Sequence, residues 1–302
     1  MMRVVLTGAG GFIGRHVWRA LTDAGARVTT VGRRALPDSD RHACLDVKPS
    51  TGADLTALLA AERTPVVLVN CAGTTGADVA ALAAGNVALP ATLVAAAARA
   101  GVPARLVHLG SAAEYGPVEP GSSAREGDPV RPVGCYARSK LAGTRIVGAA
   151  ARFGLDAVVL RVTNPVGPGA PTDSLSGTLV AQIRRARDHG GPVRIGGVTA
   201  VRDFVDVRDV AAAVVAATRA PALVEPVLNV GSGRATTVRE LVDTMLDVSG
   251  YRGEVRHDGG GSARSAAVPW LRADIGAAVR VLGWRPATDL RTTLTDLWRH
   301  AT

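Results

Sequence analysis

The chain has few cysteines, three in all, and aromatic residues make up only 3% of it. Cys44, Cys71 and Cys135 are an odd, scattered set without metal-ligand spacing, so no metal site is expected and a reducing, cytoplasmic setting fits. Scarce aromatics are poor material for stacking nucleic-acid bases. We read no stretch as a membrane span and no cationic, hydrophobic leader ahead of the first strand. No internal repeat or disordered tail is evident.

What is present is a chain of 302 residues, 47% hydrophobic, able to bury a full core in one large domain or two modest ones. The net charge is +9, but the arginines are spread along the chain and do not cluster with aromatics. Phosphorylated small ligands are therefore the expected partners, and nucleic acid is not.

The most informative stretch is Thr7-Gly8-Ala9-Gly10-Gly11-Phe12-Ile13-Gly14. It follows the apolar run Arg3 to Leu6 and opens a segment with helical apolar spacing. Strand, glycine turn and helix together make a dinucleotide site. Gly8 permits a tight turn, Gly11 lets backbone approach a pyrophosphate, and Gly14 lets the helix pack close to the strand. Phe12 and Ile13 begin the helix, whose free N–H groups and positive dipole end face the phosphates. The second strand, Arg27–Val31, ends at Gly32-Arg33-Arg34 where an NAD site usually carries an acid. Arg33 and Arg34 can bind a 2′-phosphate, which favours NADP and leaves NAD possible.

Further strands are read at 43–47, 65–70, 105–109 and 155–162. Asp46 and Val47 follow the third strand; Asp46 either meets the adenine edge or starts a turn. Cys71-Ala72-Gly73 lets the backbone pass close to the cofactor. A long alanine-rich helical region runs from 78 to 99, interrupted near Asn86 and Pro90, and Asn86 either ties two elements together or lies near the cofactor. The fifth strand delivers Ser111 at its carboxyl end, where doubly wound sheets bind ligands. Pro117 to Pro132 reads as a loop over a cleft. Tyr136 and Lys140 then stand one helical turn apart. A doubly wound parallel α/β sheet of Rossmann type follows, with a smaller C-terminal α/β substrate lobe. The division is discontinuous: 1–163 and 201–231 for the cofactor, 164–200 and 232–302 for the substrate.

Ser111, Tyr136 and Lys140 form a hydride-transfer set. Tyrosine has a reference pKa near 10, and a nearby ammonium favours the tyrosinate. Ser111 can hydrogen-bond the substrate oxygen and align it.

Over its whole length the chain resembles the extended short-chain dehydrogenase/reductases of the nucleotide-sugar epimerase, dehydratase and ketoreductase kind. Thr7-Gly8-x-x-Gly11-x-x-Gly14 resembles the family's cofactor fingerprint. Ser111, Tyr136 and Lys140 match its catalytic residues, with Lys140 also expected on the cofactor ribose. Arg161-x-x-Asn164 resembles the segment whose asparagine meets the sugar-nucleotide diphosphate. Arg202 in Arg202-Asp203-Phe204-Val205-Asp206 matches a phosphate-binding arginine, and Arg264 falls where the epimerases keep a second one. Asn229-Val230-Gly231-Ser232-Gly233 and Leu282-Gly283-Trp284 are typical of the second lobe.

One departure narrows the activity. Ala112 and Ala113 stand where the 4,6-dehydratases carry an Asp-Glu pair, so dehydration is not expected, and Glu114 comes one place late and faces another way. The resemblance implies an NADPH-dependent reductase of a nucleotide-diphosphate 4-keto-deoxysugar, acting as a homodimer. The competing expectations are a 4-epimerase retaining NAD, a reductase of a non-sugar carbonyl, and a nucleotide sensor without turnover.

Overall fold

A computed structural model describes residues 1–257 and 267–300. The chain begins β1 (Arg3–Thr7), α1 (Phe12–Asp23), β2 (Arg27–Gly32), β3 (His42–Cys44), α2 (Gly52–Ala60) and β4 (Val66–Asn70). Next come α3 (Val79–Ala83), α4 (Leu89–Arg99), β5 (Ala104–Ser111), α5 (Gly134–Arg152) and β6 (Asp156–Val162). It then leaves the sheet through β7 (Asn164–Val166), α6 (Leu175–His189), β8 (Val193–Ile195), β9 (Val201–Arg202) and β10 (Phe204–Asp206). It returns by α7 (Val207–Arg219) and β11 (Val227–Val230). The remaining described elements are β12 (Thr236–Thr237), α8 (Val238–Ser249), β13 (Val255–His257), α9 (Gly276–Leu282) and α10 (Leu290–His300).

Seven strands form one sheet in the order β11-β6-β5-β4-β1-β2-β3, with every neighbouring pair parallel. The order reverses beside β1, and ligands of such sheets bind outside the carboxyl ends of the strands at that reversal. Strands covered on both faces read as continuous apolar runs, and all five residues of β4 are buried. Val4, Leu6, Val69 and Val107 meet one helical layer, with Val17 of α1 and Val210 and Val214 of α7. Val5, Leu68 and Leu106 meet the other, with Leu55 of α2, Leu93 of α4 and Val147 of α5. Short two-stranded sheets pair β7 with β10, β9 with β12 and β8 with β13.

Three expectations need correction. The third strand is shorter than 43–47, because the chain turns at Asp46 to start the next helix, where Thr51 Oγ1 donates to the Asp46 carbonyl. Residues 201–206 pair with β12 and β7, and only β11 rejoins the main sheet. Residues 79–99 are long and apolar enough to cross a membrane by length and composition, contrary to the reading that no stretch is. The structure breaks that stretch with a wider π turn at Ala84–Ala88 and buries Leu82, Leu89, Leu93 and Ala96. π turns of this kind often mark functional positions, and this one carries Asn86.

Candidate active site

The glycine turn is dictated sterically. Gly8 has φ +77°, and a Cβ there would overlap the Ala72 backbone nitrogen. A Cβ on Gly14 would overlap the Gly8 carbonyl oxygen, so Gly14 packs the helix onto the turn more than onto the strand. Gly11 faces outward and donates its N–H to the Gly8 oxygen at 3.0 Å. No side chain caps α1, which leaves the N–H groups at Phe12 and Ile13 for a ligand. This open cradle at the sheet's reversal fits a dinucleotide pyrophosphate.

Arg33 and Arg34 are both exposed at the end of β2. The loop they start returns over the glycine turn, since a Cβ on Gly10 would sit 3.2 Å from the Leu36 side chain. Asp46 is exposed and ion-paired with Lys48 at 3.4 Å, the turn-starting alternative, while Val47 packs into the α2 side of the core. Cys71-Ala72-Gly73 passes directly behind Gly8. The Cys71 thiol is pushed up to about 12 by burial, against the pull of the Lys140 charge.

Lys140 is one of two lysines in the chain. It is buried, and its Nζ donates to the Leu109 carbonyl at 2.6 Å. Burial holds its ammonium down at about 8, with Glu114 and Cys71 opposing. Tyr136 precedes it by one turn and is half-buried. Asn86 accepts from the Thr74 N–H at 2.9 Å, donates to the Thr74 carbonyl at 2.8 Å, and donates to Ser139 Oγ at 3.0 Å. Ser139 Oγ donates in turn to the Tyr136 carbonyl. Asn86 therefore ties the loop after β4 to the turn between Tyr136 and Lys140. A Cβ on Gly73 would lie 3.0 Å from Asn86 Oδ1 and 3.9 Å from Lys140 Nζ, which places Asn86 beside the lysine as well.

Ser111 closes β5 and is buried. Its Oγ accepts the Ala113 N–H at 3.2 Å, so the hydroxyl proton remains to donate to a substrate oxygen. Glu114 does face away. Its carboxylate accepts from the Ser111 N–H and Thr144 Oγ1, each at 2.8 Å, and from Arg161 Nε at 2.8 Å. Arg161 lies over the Tyr115 ring, and Tyr115 Oη donates to Asn229 Oδ1 at 2.7 Å.

Several residues of this region were not singled out from the sequence. Thr7 Oγ1 donates to Asn70 Oδ1 at 2.7 Å, and Asn70 Nδ2 donates to His108 Nδ1 at 2.8 Å. The proton of neutral His108 therefore sits on Nε2, which is buried and has no partner among the described residues. Burial, then the Lys140 charge, hold the His108 imidazolium far below its usual range. The signal was available: Asn70 and His108 are polar residues set in apolar strands. Asp203, a motif residue in the sequence, is fully buried. It accepts from Ser232 N and Oγ at 2.7 Å each, from Gly233 N at 3.1 Å and from Ala273 N at 3.2 Å. Asn164 Nδ2 donates to the Asp203 carbonyl at 3.1 Å, and half-buried Arg202 is its neighbour. Arg264 lies outside the described residues.

A dinucleotide cradle, a serine at the carboxyl end of the sheet and a helical Tyr-Lys pair define a nicotinamide-cofactor enzyme. The family model for the NAD dependent epimerase/dehydratase family matches residues 4–231, and the chain belongs to that family. It is 38% identical over 301 residues to a dTDP-6-deoxy-L-talose 4-dehydrogenase (NAD(P)(+)) of Kitasatospora kifunensis, covering 98% of this chain and 94% of that one. A UDP-glucose 4-epimerase of Azospirillum brasilense is 29% identical, covering 95% and 88%. MoeE5, solved with UDP-glucuronic acid and NAD, superposes with TM-score 0.84 at 31% identity over 98% of each chain. The relatives are NAD(P)-dependent oxidoreductases and epimerases of nucleotide sugars.

Proposed function

We propose that this chain is an NADPH-dependent 4-ketoreductase of a nucleotide-diphosphate 4-keto-deoxysugar, working equally as the 4-dehydrogenase in reverse. The observation that carries the reading is the turn after Ser111. The serine keeps a free hydroxyl proton, while Ala112 is buried with Tyr115 and Leu271 and offers no acid for water elimination. Similarity to a 4-dehydrogenase accepting NAD(P) supports the same direction.

Bound at the glycine turn, the cofactor supplies the hydride. Gly8, Gly11, Phe12, Ile13 and Gly14 hold its phosphates, with Cys71, Ala72 and Gly73 behind them, and Arg33 and Arg34 take the 2′-phosphate. Tyr136 Oη holds the proton that passes to the carbonyl oxygen. Ser111 donates a hydrogen bond to that oxygen and aligns it. Lys140 bears the positive charge that favours the tyrosinate and meets the ribose. Asn164 and Arg202 bind the diphosphate, with Arg264, outside the described residues, as a further arginine for it. In this reading residues 1–163 with 201–231 form the cofactor half, except that strands 201–206, which pair outside the main sheet, carry Arg202 to the substrate, and 164–200 with 232–302 serve the substrate. The enzyme acts in the cytoplasm as a homodimer; exposed Val79 and the solvent-facing alanines of α4 support a second copy there.

A 4-epimerase is the second reading, favoured by the likeness to MoeE5 with its NAD and UDP-sugar. Incubation with a dTDP-4-keto-6-deoxysugar separates the two. A reductase consumes NADPH one-for-one with sugar, and an epimerase interconverts 4-hydroxy sugars with no net cofactor consumption. Failure to reduce any 4-keto sugar nucleotide overturns the proposal.

A further inference from the structure

Residues 269–274 run as a single extended strap with a different partner on each edge. On one edge the Val201 N–H donates to the Pro269 carbonyl at 2.9 Å, and the Leu271 N–H donates to the Val201 carbonyl at 3.1 Å. The Ala273 N–H then reaches the Asp203 carboxylate. These bonds fasten the strap to the short strand that carries Arg202.

The other edge holds the loop that follows Ser111. The Ala124 N–H donates to the Arg272 carbonyl at 2.7 Å, and the Asp274 N–H donates to the Ala124 carbonyl at 2.8 Å. Trp270 Nε1 donates to the Ser122 carbonyl at 2.8 Å. Arg272 donates twice, from Nε to Ser123 Oγ at 2.7 Å and from Nη2 to the Gly121 carbonyl at 2.9 Å. Arg272 also lies over the Trp270 ring.

Between these edges Leu271 turns inward. It is buried in a small apolar cluster with Ala112, Tyr115 and Ala124. Ala112 is the residue after Ser111, and Tyr115 ends the same tight turn. Asn229 closes the arrangement: it accepts from Tyr115 Oη and donates from Nδ2 to the carbonyls of Ala124 and Asp274, each at 3.0 Å.

We propose that the 269–274 strap sets the register between the Ser111 turn and the Arg202 strand, and that Arg272 is its positioning residue. A sugar nucleotide presents its carbonyl to one of these places and its diphosphate to the other, so the strap fixes a distance the substrate must match. Small misplacements of such groups lower turnover steeply. Arg272 touches neither end; it acts through the 121–124 loop and through Leu271. The catalytic half of this inference rests on the 4-ketoreductase reading, and the structural half does not.

Hydrogen exchange on the ligand-free protein tests the structural half. Arg272→Ala removes two side-chain hydrogen bonds and the guanidinium over Trp270 and leaves Leu271 and the backbone lacing in place, so the chain still folds. Exchange should quicken by about tenfold or more at the amides of 121–124 and also at those of 111–116 and 201–203. Arg272→Lys should restore part of the protection. Quickening confined to 121–124 overturns the strap as a coupling element. The catalytic half is read from steady-state kinetics on a 4-keto sugar nucleotide. Arg272→Ala should lower kcat about tenfold with the KM for NADPH unchanged. An unchanged kcat overturns the positioning role. A wild-type protein inert on these sugars overturns the ketoreductase reading instead, while the exchange measurement still decides the strap.

Discussion

Lys140 Nζ donates to the Leu109 carbonyl at 2.6 Å, and that bond ties the helix bearing Tyr136 to the strand bearing Ser111. Tyr136 and Lys140 on that helix and Ser111 on that strand are thereby mounted on two elements joined to each other. The bond holds a buried ammonium, which a packed interior disfavours.

That burial makes Lys140 a source of instability. Its folded value of about 8 lies below the ordinary 10.5. The unfolded chain therefore binds the proton more tightly. The penalty is fully present below pH 8 and fades as the folded lysine releases its proton between pH 8 and 10.5. Each unit represents about 1.4 kcal/mol, so the penalty is on the order of 3 kcal/mol. Lys140→Met should raise the thermal midpoint of the ligand-free protein at pH 7 while reducing turnover. A lower midpoint would contradict this account.

His108 gives the opposite pH window. Its folded imidazolium lies far below the usual 6.5, so its penalty is absent above that value and grows as pH falls below it. His108→Leu should lower stability at pH 7.5 by about 1–3 kcal/mol, because Asn70 Nδ2 loses its buried acceptor. The variant should also lose less stability than wild type between pH 7 and 5. Parallel denaturation curves across that range would refute the buried, neutral histidine.

Tyr136→Phe keeps the ring and removes its proton. Turnover should fall by roughly a hundredfold to ten-thousandfold, as for loss of a general acid. Cofactor affinity should barely change, because the glycine turn lies elsewhere. NADPH oxidation followed by absorbance with a 4-keto sugar nucleotide checks it; near-wild-type turnover removes the mechanism.

Arg33→Asp combined with Arg34→Ala should weaken NADPH far more than NADH. One arginine–phosphate contact contributes about 1.5–3 kcal/mol. Equal affinity of the wild-type protein for the two cofactors would contradict the assignment.

Glu114→Gln tests the buried pair with Arg161. Both side chains are within the core, at 0% and 6% exposure. Removing the carboxylate charge strands the guanidinium, which typically costs about 3–5 kcal/mol. Chemical denaturation should show a loss of that size, and a neutral result would mean that water reaches Arg161.

Much of the fold is legible in the chain because its rules are local. Val66 to Asn70 reads as a covered parallel strand from composition alone, and Gly25 follows α1 with φ +78°, a conformation that favours glycine. Tyr136 and Lys140 are visible because helical spacing is a local property. Residues 79–99 were harder. Their alanine-rich run spells a helix, and only the packing of Leu82, Leu89 and Leu93 shows where its apolar surface goes. Asp203 was hidden because its partners, Ser232, Gly233 and Ala273, are distant in the chain.

The sequence by itself determined the strand–turn–helix at Gly8, Gly11 and Gly14, where Gly8 turns at φ +77° and a Cβ on Gly14 would overlap the Gly8 carbonyl oxygen. It also determined the helical pairing of Tyr136 with Lys140. Tertiary structure alone decided that burial holds Lys140 down at about 8, that His108 carries its proton on Nε2, that Glu114 turns from the cleft to Arg161, and that one strap meets both Arg202's strand and the Ser111 turn. Desolvation and long-range hydrogen bonds depend on which atoms surround a group after folding, and no local stretch of sequence specifies those neighbours.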